Sequence, residues 1–388
     1  MYALTRDDVR RVSRDLLIGE LCRSRNISSI DLDWQAEDGE LWLNERGLNL
    51  SSIERVELAS AASELFHLFD SPLGDRLLIT QTLDEWAKLV TQYAGQSAVT
   101  FRTSGSTGAP TSQTHSYQHL LDEVDGYTDL LRDSTRIVSL VPAHHIYGFL
   151  WTVLLPNTLN KPALSFSKSR EVLHTGLQSN DVIVATPLWW EYISRARVKL
   201  PPGCVGVCST GALGEDLRRS LLPLMSNFIE IYGSSETGGI GIRTNTSDAY
   251  ELLPRWQAIS TSGEQLLRAG SGDVVPLPDH IECTGERCFR VSGRRDQLVQ
   301  VAGHNVSPQK ISKMLLQCAG IEEVSVRMMR PDEGQALKAL VVTEQADDRD
   351  ARNVIRKQVA QMLPAHERPQ LTFKTEMPRN ALGKLADW

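Results

Sequence analysis

Thr103-Ser104-Gly105-Ser106-Thr107-Gly108-Ala109-Pro110 follows the apolar run Ala98–Phe101 and places two glycines and four hydroxyls in eight residues. Glycines let successive backbone N–H groups curl around an anion, and the hydroxyls add donors, so the stretch can cradle a chain of phosphates. It lacks the GxxxxGK[ST] spacing of the Walker loop. Read from these residues alone, it is either an anion cradle or an ordinary flexible turn.

Three regions extend outward from this loop. In residues 1–95, Val9, Val12, Leu16 and Leu17 share one helical face, and Ile53, Val56, Leu58, Ala61 and Leu65 predict a second helix. Between them, Ile30 to Leu43 shows short alternating stretches with a turn at Gly39. Residues 96–295 change pattern. The short runs Arg136–Pro142, Asp181–Thr186, Cys204–Ser209 and Phe228–Tyr232 alternate with amphipathic segments, which predicts an α/β core with mainly parallel strands. Residues 296–388 read as a compact α+β unit: helical Ser307–Cys318, strand-like Val324–Met329 and Leu337–Thr343, then helical Arg349–Leu363.

Bulk properties narrow the function. A chain of 388 residues can bury two or three domains. A net charge of -7 argues against broad nucleic-acid binding, which needs a basic surface. The cysteines Cys22, Cys204, Cys208, Cys283, Cys288 and Cys318 never form a CxxC pair, so reduced, mostly buried thiols are expected rather than a zinc site. The first residues lack the apolar core of a signal peptide, and no run approaches the ~20 apolar residues of a membrane span. A cytoplasmic location is the expectation.

The loop resembles the phosphate loop of the adenylate-forming (ANL) superfamily of acyl-CoA synthetases, peptide-synthetase adenylation domains and luciferases. Thr111 stands where that family usually carries a lysine. Further family-like elements follow in order. Pro142-Ala143-His144-His145-Ile146-Tyr147-Gly148 looks like the PxxHxxG element, which implies that His145 sits near the acyl pocket. Ser209-Thr210-Gly211-Ala212-Leu213 is similar to the SGGA turn, where the backbone at Gly211 would pack on adenine and substrate. Tyr232-Gly233-Ser234-Ser235-Glu236-Thr237 resembles YGxTE, with Ser235 for threonine. The resemblance implies that Tyr232 stacks on adenine, Ser235 meets the α-phosphate and Glu236 holds Mg2+, a hard cation that prefers oxygen ligands.

The family's ribose-binding aspartate lies about fifteen residues ahead of the arginine of its GRxD element, which points to Asp279 rather than Asp273. Gly293-Arg294-Arg295-Asp296 and Gly303-His304-Asn305-Val306 resemble the hinge segment. There Arg294 would reach the ribose, Asp296 would be the pivot and Gly303 would line the thiol path, while Asn305 replaces a common arginine. Pro378-Arg379-Asn380-Ala381-Leu382-Gly383-Lys384 resembles the C-terminal PxxxxGK element, which makes Lys384 the cation bridging carboxylate and α-phosphate. With Thr103, Ser104, Gly105, Ser106, Thr107 and Gly108 these residues make up the implied nucleotide site.

The resemblance therefore implies an ANL-type large α/β domain with a small mobile C-terminal α+β domain, and a ligase that uses ATP and Mg2+. It would adenylate a carboxylic acid and pass the acyl group to a thiol. Trp189, Trp190, Tyr192 and Tyr147 suggest an aromatic acid, or are plain core. Short family members in aryl polyene and pigment pathways are similar, which implies an acyl carrier protein as acceptor; CoA is the alternative. Thr111 and Asn305 leave a third reading, a degenerate nucleotide-binding scaffold. Within residues 1–95, Gly47–Leu58 resembles the LDSL segment of carrier proteins with Ser52 at the modified position, and Thr82–Trp86 resembles a carrier's last helix. Ser-Ser-x-Glu is equally a helix cap.

Overall fold

Helix α1 (Arg6–Arg25) forms where the apolar stripe predicts it, with Val9, Val12, Leu16, Leu17 and Leu21 all buried. The architecture comes from a computed structural model. It describes residues 4–25, 40–69, 71, 73–93, 97–103, 111–260, 263–277, 279–294, 299–301, 304–330, 333–334, 336–380 and 385–388. Helix α2 (Ser52–Leu65) starts at a reciprocal cap: the Ser51 hydroxyl accepts from the Glu54 N–H, and the Glu54 carboxylate accepts from the Ser51 N–H. Ile53 and Val56, predicted to face inward, are instead 72% and 56% exposed. The first turn is held by that cap and by the Glu54–Arg25 ion pair, and packing begins only at Leu58. Helices α3 (Leu73–Ile79) and α4 (Leu83–Tyr93) complete this region. Its buried side chains belong to one cluster with residues as distant as Phe289, so these helices share the core of the sheet that follows. Most of the alternating stretch around Gly39 lies outside the described residues.

Strands β1 (Ala98–Thr103) and β2 (Thr111–Ser116) form an antiparallel ribbon whose ends pair at Thr103 and Thr111. Next come α5 (Tyr117–Thr128), β3 (Arg136–Ser139), α6 (Ile146–Phe149), a π-turn at Leu150–Leu154, α7 (Leu155–Leu159) and α8 (Phe166–Thr175). After them follow β4 (Asp181–Ala185), α9 (Pro187–Arg195), β5 (Val205–Cys208), α10 (Glu215–Leu221) and β6 (Asn227–Ser234). Strands β3 to β6 are parallel, as expected from their helical connections.

Beyond β6 the order changes. β7 (Gly238–Arg243), β8 (Tyr250–Leu252), β12 (Asp279–Cys283) and β13 (Cys288–Arg294) extend the same eight-stranded sheet antiparallel, in the order β12-β13-β8-β7-β6-β5-β4-β3. Short turns join β6 to β7, β7 to β8 and β12 to β13, and short turns can only reverse a strand. β9 (Trp256–Ile259), β10 (Gln265–Arg268) and β11 (Val274–Pro276) make a separate antiparallel sheet.

The C-terminal region has its own core around Ile311, Leu315, Leu337, Val341, Ile355 and Val359. Helices Pro308–Leu315 and Arg349–Met362 accompany a three-stranded sheet whose centre is Leu337–Val342. Cys204, Cys208 and Cys318 are buried, but Cys283 is exposed on β12, the terminal strand of the sheet. Among the described residues no helix is long and apolar enough to cross a membrane.

Candidate active site

The family-like elements collect at one edge of the sheet. His145 and Tyr147 follow β3, Pro187 follows β4, Gly211 follows β5, and Tyr232 to Glu236 close β6. These are the carboxyl ends of the four parallel strands, where open α/β sheets bind ligands. The sheet's order also brings β12 to the far side of the same edge. There the Tyr232 hydroxyl donates to Asp279 Oδ2 at 2.6 Å. Asp279 in turn pairs across β12–β13 with Arg294. Register shifts at Tyr232/Gly233 and at His280/Ile281 flank the contact; such bulges re-aim side chains near sites. Asp273 instead sits in an exposed turn, accepting from the Ser271 hydroxyl.

The Ser234–Thr237 turn closes on itself: the Ser234 N–H donates to Thr237 Oγ1 at 3.1 Å, and the Thr237 hydroxyl donates to Gly238 O at 2.8 Å. Gly233 is obligatory, since a Cβ there would lie 2.2 Å from Gly238 O. Glu236 is exposed and makes no hydrogen bond or ion pair among the described residues. Among them no group of three or more His, Cys, Asp and Glu side chains could hold a metal. The exposed Glu236 carboxylate is an oxygen donor of the kind a hard cation such as magnesium prefers, so the residues present fit such an ion.

Two supports under this turn were not legible as site residues. His115, on β2, lies 2.7 Å from Ser235 O through Nε2. Burial holds its imidazole below the ordinary histidine value, and a carbonyl partner requires the N–H at Nε2, so the ring donates as a neutral group. Gly238 and Gly239 rest on a buried ion pair of Glu123 and Arg255, joined at 2.5 Å, with the Tyr127 hydroxyl donating to Glu123 at 2.8 Å. The Gly-Gly pair was the available signal, because only glycine permits so close an approach.

A cleft of about 480 Å³ opens beside Gly211. Pro187, Leu188, Leu213 and Leu217 form its apolar wall, and Arg379 and Leu385 of the C-terminal region close it. Of the aromatics that read either as pocket wall or as plain core, Trp190 is core: it is buried against Phe228, and its Nε1–H donates to Val207 O because α9 turns that face onto the sheet. Tyr147 is buried with its hydroxyl donating to Ala185 O at 3.3 Å, and Tyr192 donates outward toward His174. Thr210 holds φ 78°, a left-handed conformation that a β-branched residue adopts only under strain. Thr210→Gly is therefore expected to stabilise the protein by about 1 kcal/mol in urea denaturation. A loss of stability would show that this turn is not left-handed in solution.

His145 precedes α6 and packs its ring 4.1 Å from that of His144. His144 is half-buried with its Nδ1 enclosed, and desolvation there, then the neighbouring His145, pushes the imidazole well below its ordinary value. His115 is shifted in the same direction by burial. Below about pH 6.5 the unfolded chain thus binds more protons at these positions than the folded one, so stability is fully present above that pH and declines below it. A urea midpoint that falls between pH 7.5 and 5.5, and falls less in His144→Gln, is the expected outcome.

Ser104, Gly105, Ser106, Thr107, Gly108, Asp296, Gly303 and Lys384 lie outside the described residues, as do the side chains of Thr103 and Arg294.

The sequence profile of the AMP-binding enzyme family matches residues 56–269. The chain is 33% identical over 391 residues to a 4-coumarate–CoA ligase of Halorhodospira halophila, covering 99% of this chain and 100% of that protein. It is 36% identical over 363 residues to a 4-coumarate–CoA ligase of Cereibacter sphaeroides, covering 90% and 86%. Among solved structures, the O-succinylbenzoate coenzyme A synthetase of Bacillus subtilis, in complex with ATP and magnesium ion, superposes with a TM-score of 0.60 at 16% identity over 87% of this chain and 81% of that one. This chain belongs to the AMP-binding enzyme family, within the ANL superfamily of AMP-forming acid–thiol ligases.

Proposed function

We propose that the protein is an aryl acid–CoA ligase, acting on 4-coumarate or a closely related hydroxylated aromatic acid. The observation that carries this reading is the contact between Tyr232 and Asp279, which brings the adenine-side and ribose-side elements together one turn from Glu236. The names of two relatives that match most of the chain support the acid and the acceptor. On that ground the carrier-protein thiol expected from the sequence gives way to CoA. A cleft of about 480 Å³ suits an aromatic acid, within the ~300–1,000 Å³ usual for small-molecule sites.

A carboxylate is a poor electrophile. In the first step its oxygen attacks the α-phosphorus of ATP, the bond to pyrophosphate breaks, and an acyl-adenylate forms. In the second, the CoA sulfur attacks the acyl carbon, AMP leaves, and the thiol proton passes to solvent. No protein nucleophile is needed; the site has to position two anions and neutralise their charge. Tyr232 lies against adenine, Asp279 and Arg294 hold the ribose, and the loop at 103–108 with Ser235 holds the phosphates. Magnesium bound at Glu236 supplies charge neutralisation on the phosphates. Lys384 bridges carboxylate and α-phosphate, and the C-terminal domain then swings about Asp296 so that the thiol enters past Gly303.

ATP–pyrophosphate exchange against benzoates, cinnamates and medium-chain fatty acids tests the first step, and CoA against a loaded carrier protein tests the second. The expected result is fastest exchange with hydroxycinnamates and a CoA thioester as product. Silence with every acid favours the scaffold reading, and a thioester formed only on the carrier restores the carrier reading.

A further inference from the structure

One polar stripe of α1 meets residues 143–163, the stretch that includes the turn after His145, while Arg10 and Arg25 pair with Asp84 and Glu54. Asp8, Arg11, Asp15 and Gly19 recur at helical spacing along one side. The Asn157 side-chain amide donates to Asp8 Oδ2 at 2.9 Å. The Arg11 guanidinium donates to Ala163 O at 3.1 Å and also to Thr152 O within the π-turn. Asp15 Oδ2 accepts from the Ala143 N–H at 2.6 Å, with both residues buried. At Gly19 the helix leaves a slot for His144: a Cβ there would lie 3.0 Å from His144 Nε2 and 3.1 Å from Cε1.

The segment itself has little freedom. A Cβ at Gly148 would lie 1.9 Å from Pro142 O, and the Thr152 hydroxyl donates to Gly148 O at 2.6 Å, so residues 142–152 form one closed unit. A displacement of Ala143 or His144 therefore passes to His145, whose ring lies against that of His144. These bonds are directional and fix register, which a purely apolar helix face does not.

We propose that α1 is a positioning element for the Pro142–Gly148 turn, with Asp15 and Gly19 setting the place of His145. The inference rests on the reading of His145 as an acyl-pocket residue. Neither Asp15 nor Gly19 touches the substrate; both act through the Pro142–Gly148 turn.

The test uses the full chain with its best acid, ATP and CoA. Gly19→Ala is expected to raise the acid KM roughly 10–100-fold while the ATP KM stays within about twofold, and to change the order of preference among acids of different length. The double variant Gly19→Ala/His144→Ala removes the clash and is expected to return the acid KM to that of His144→Ala alone. Asp15→Asn, which keeps an acceptor oxygen, is expected to lie nearer the parent than Asp15→Ala. An activity-independent readout is the His145 ring resonance in 13C-histidine-labelled protein, which is expected to shift in Gly19→Ala and to recover in the double variant. Equal rises in the acid and ATP KM values, or an unmoved His145 resonance, overturn the inference. If the parent protein activates no acid, the functional reading fails by itself, and the resonance still decides whether α1 positions His145.

Discussion

Lys384→Ala is expected to lower ATP–pyrophosphate exchange about 10²–10³-fold while leaving the thermal midpoint within a degree or so of the parent. The first half-reaction drives a carboxylate onto an already anionic phosphorus, so a cation aimed at the developing charge is worth more than any neutral donor. Thr111 and Asn305 remove two other positions where the family places positive charge, which concentrates the demand on this lysine. The described residues on either side of it meet the cleft. Arg379 and Leu385 form an antiparallel bridge, the Ala386 N–H donates to Pro378 O at 2.8 Å, and Arg379 and Leu385 both line the cleft beside Gly211. If the lysine serves the first step only, as proposed, the variant transfers a preformed acyl-adenylate to CoA at close to the parent rate. Unchanged exchange would place the adenylation charge elsewhere.

Arg255→Ala is the substitution expected to cost the most stability, about 3–5 kcal/mol. Arg255 and Glu123 have side chains 1% and 2% exposed, so removing the guanidinium leaves a carboxylate deep in the fold without its counter-charge. The Tyr127 hydroxyl, which burial holds firmly protonated, still donates to Glu123 but brings no charge. Because Gly238 and Gly239 lie on this pair, the loss also reaches the Ser234–Thr237 turn, and weaker ATP binding is expected alongside a lower urea midpoint. Removing both charges, as in Arg255→Met/Glu123→Leu, is expected to cost less than Arg255→Ala alone, since a buried pair is dearer to break than to replace. A double variant less stable than the single one would mean that packing, not charge, dominates there.

What was legible in the sequence was what is local. The stripe of α1, the four parallel strands and the helices and strands of the C-terminal region each depend on spacing within a dozen or so residues, and they stand close to where periodicity puts them. The candidate site was legible as an ordered set of short elements, and Asp279, to which the resemblance pointed, meets Tyr232 in the structure. What escaped is what distant partners decide. Asp15 and Ala143 are 128 residues apart, His115 and Ser235 are 120 apart, and Glu123 and Arg255 are 132 apart. A lone Asp or His carries no sign of which backbone group it will meet. The antiparallel half of the sheet was hidden for a related reason: β7, β8, β12 and β13 are short and mixed in polarity, and their pairing follows from turn length. Trp190 reads either as pocket wall or as core until α9 is seen to face it onto Val207. Ile53 and Val56 fit an apolar stripe, yet the helix they begin is held there by a cap and an ion pair.

A crystal grown with magnesium and a non-hydrolysable ATP analogue tests the central claim most directly. The account predicts one nucleotide at the carboxyl ends of β3 to β6, its adenine against Tyr232, its ribose hydroxyls within hydrogen-bonding distance of Asp279, and the metal on Glu236. A nucleotide bound elsewhere, or bound here with Asp279 and Glu236 both out of reach, would contradict it.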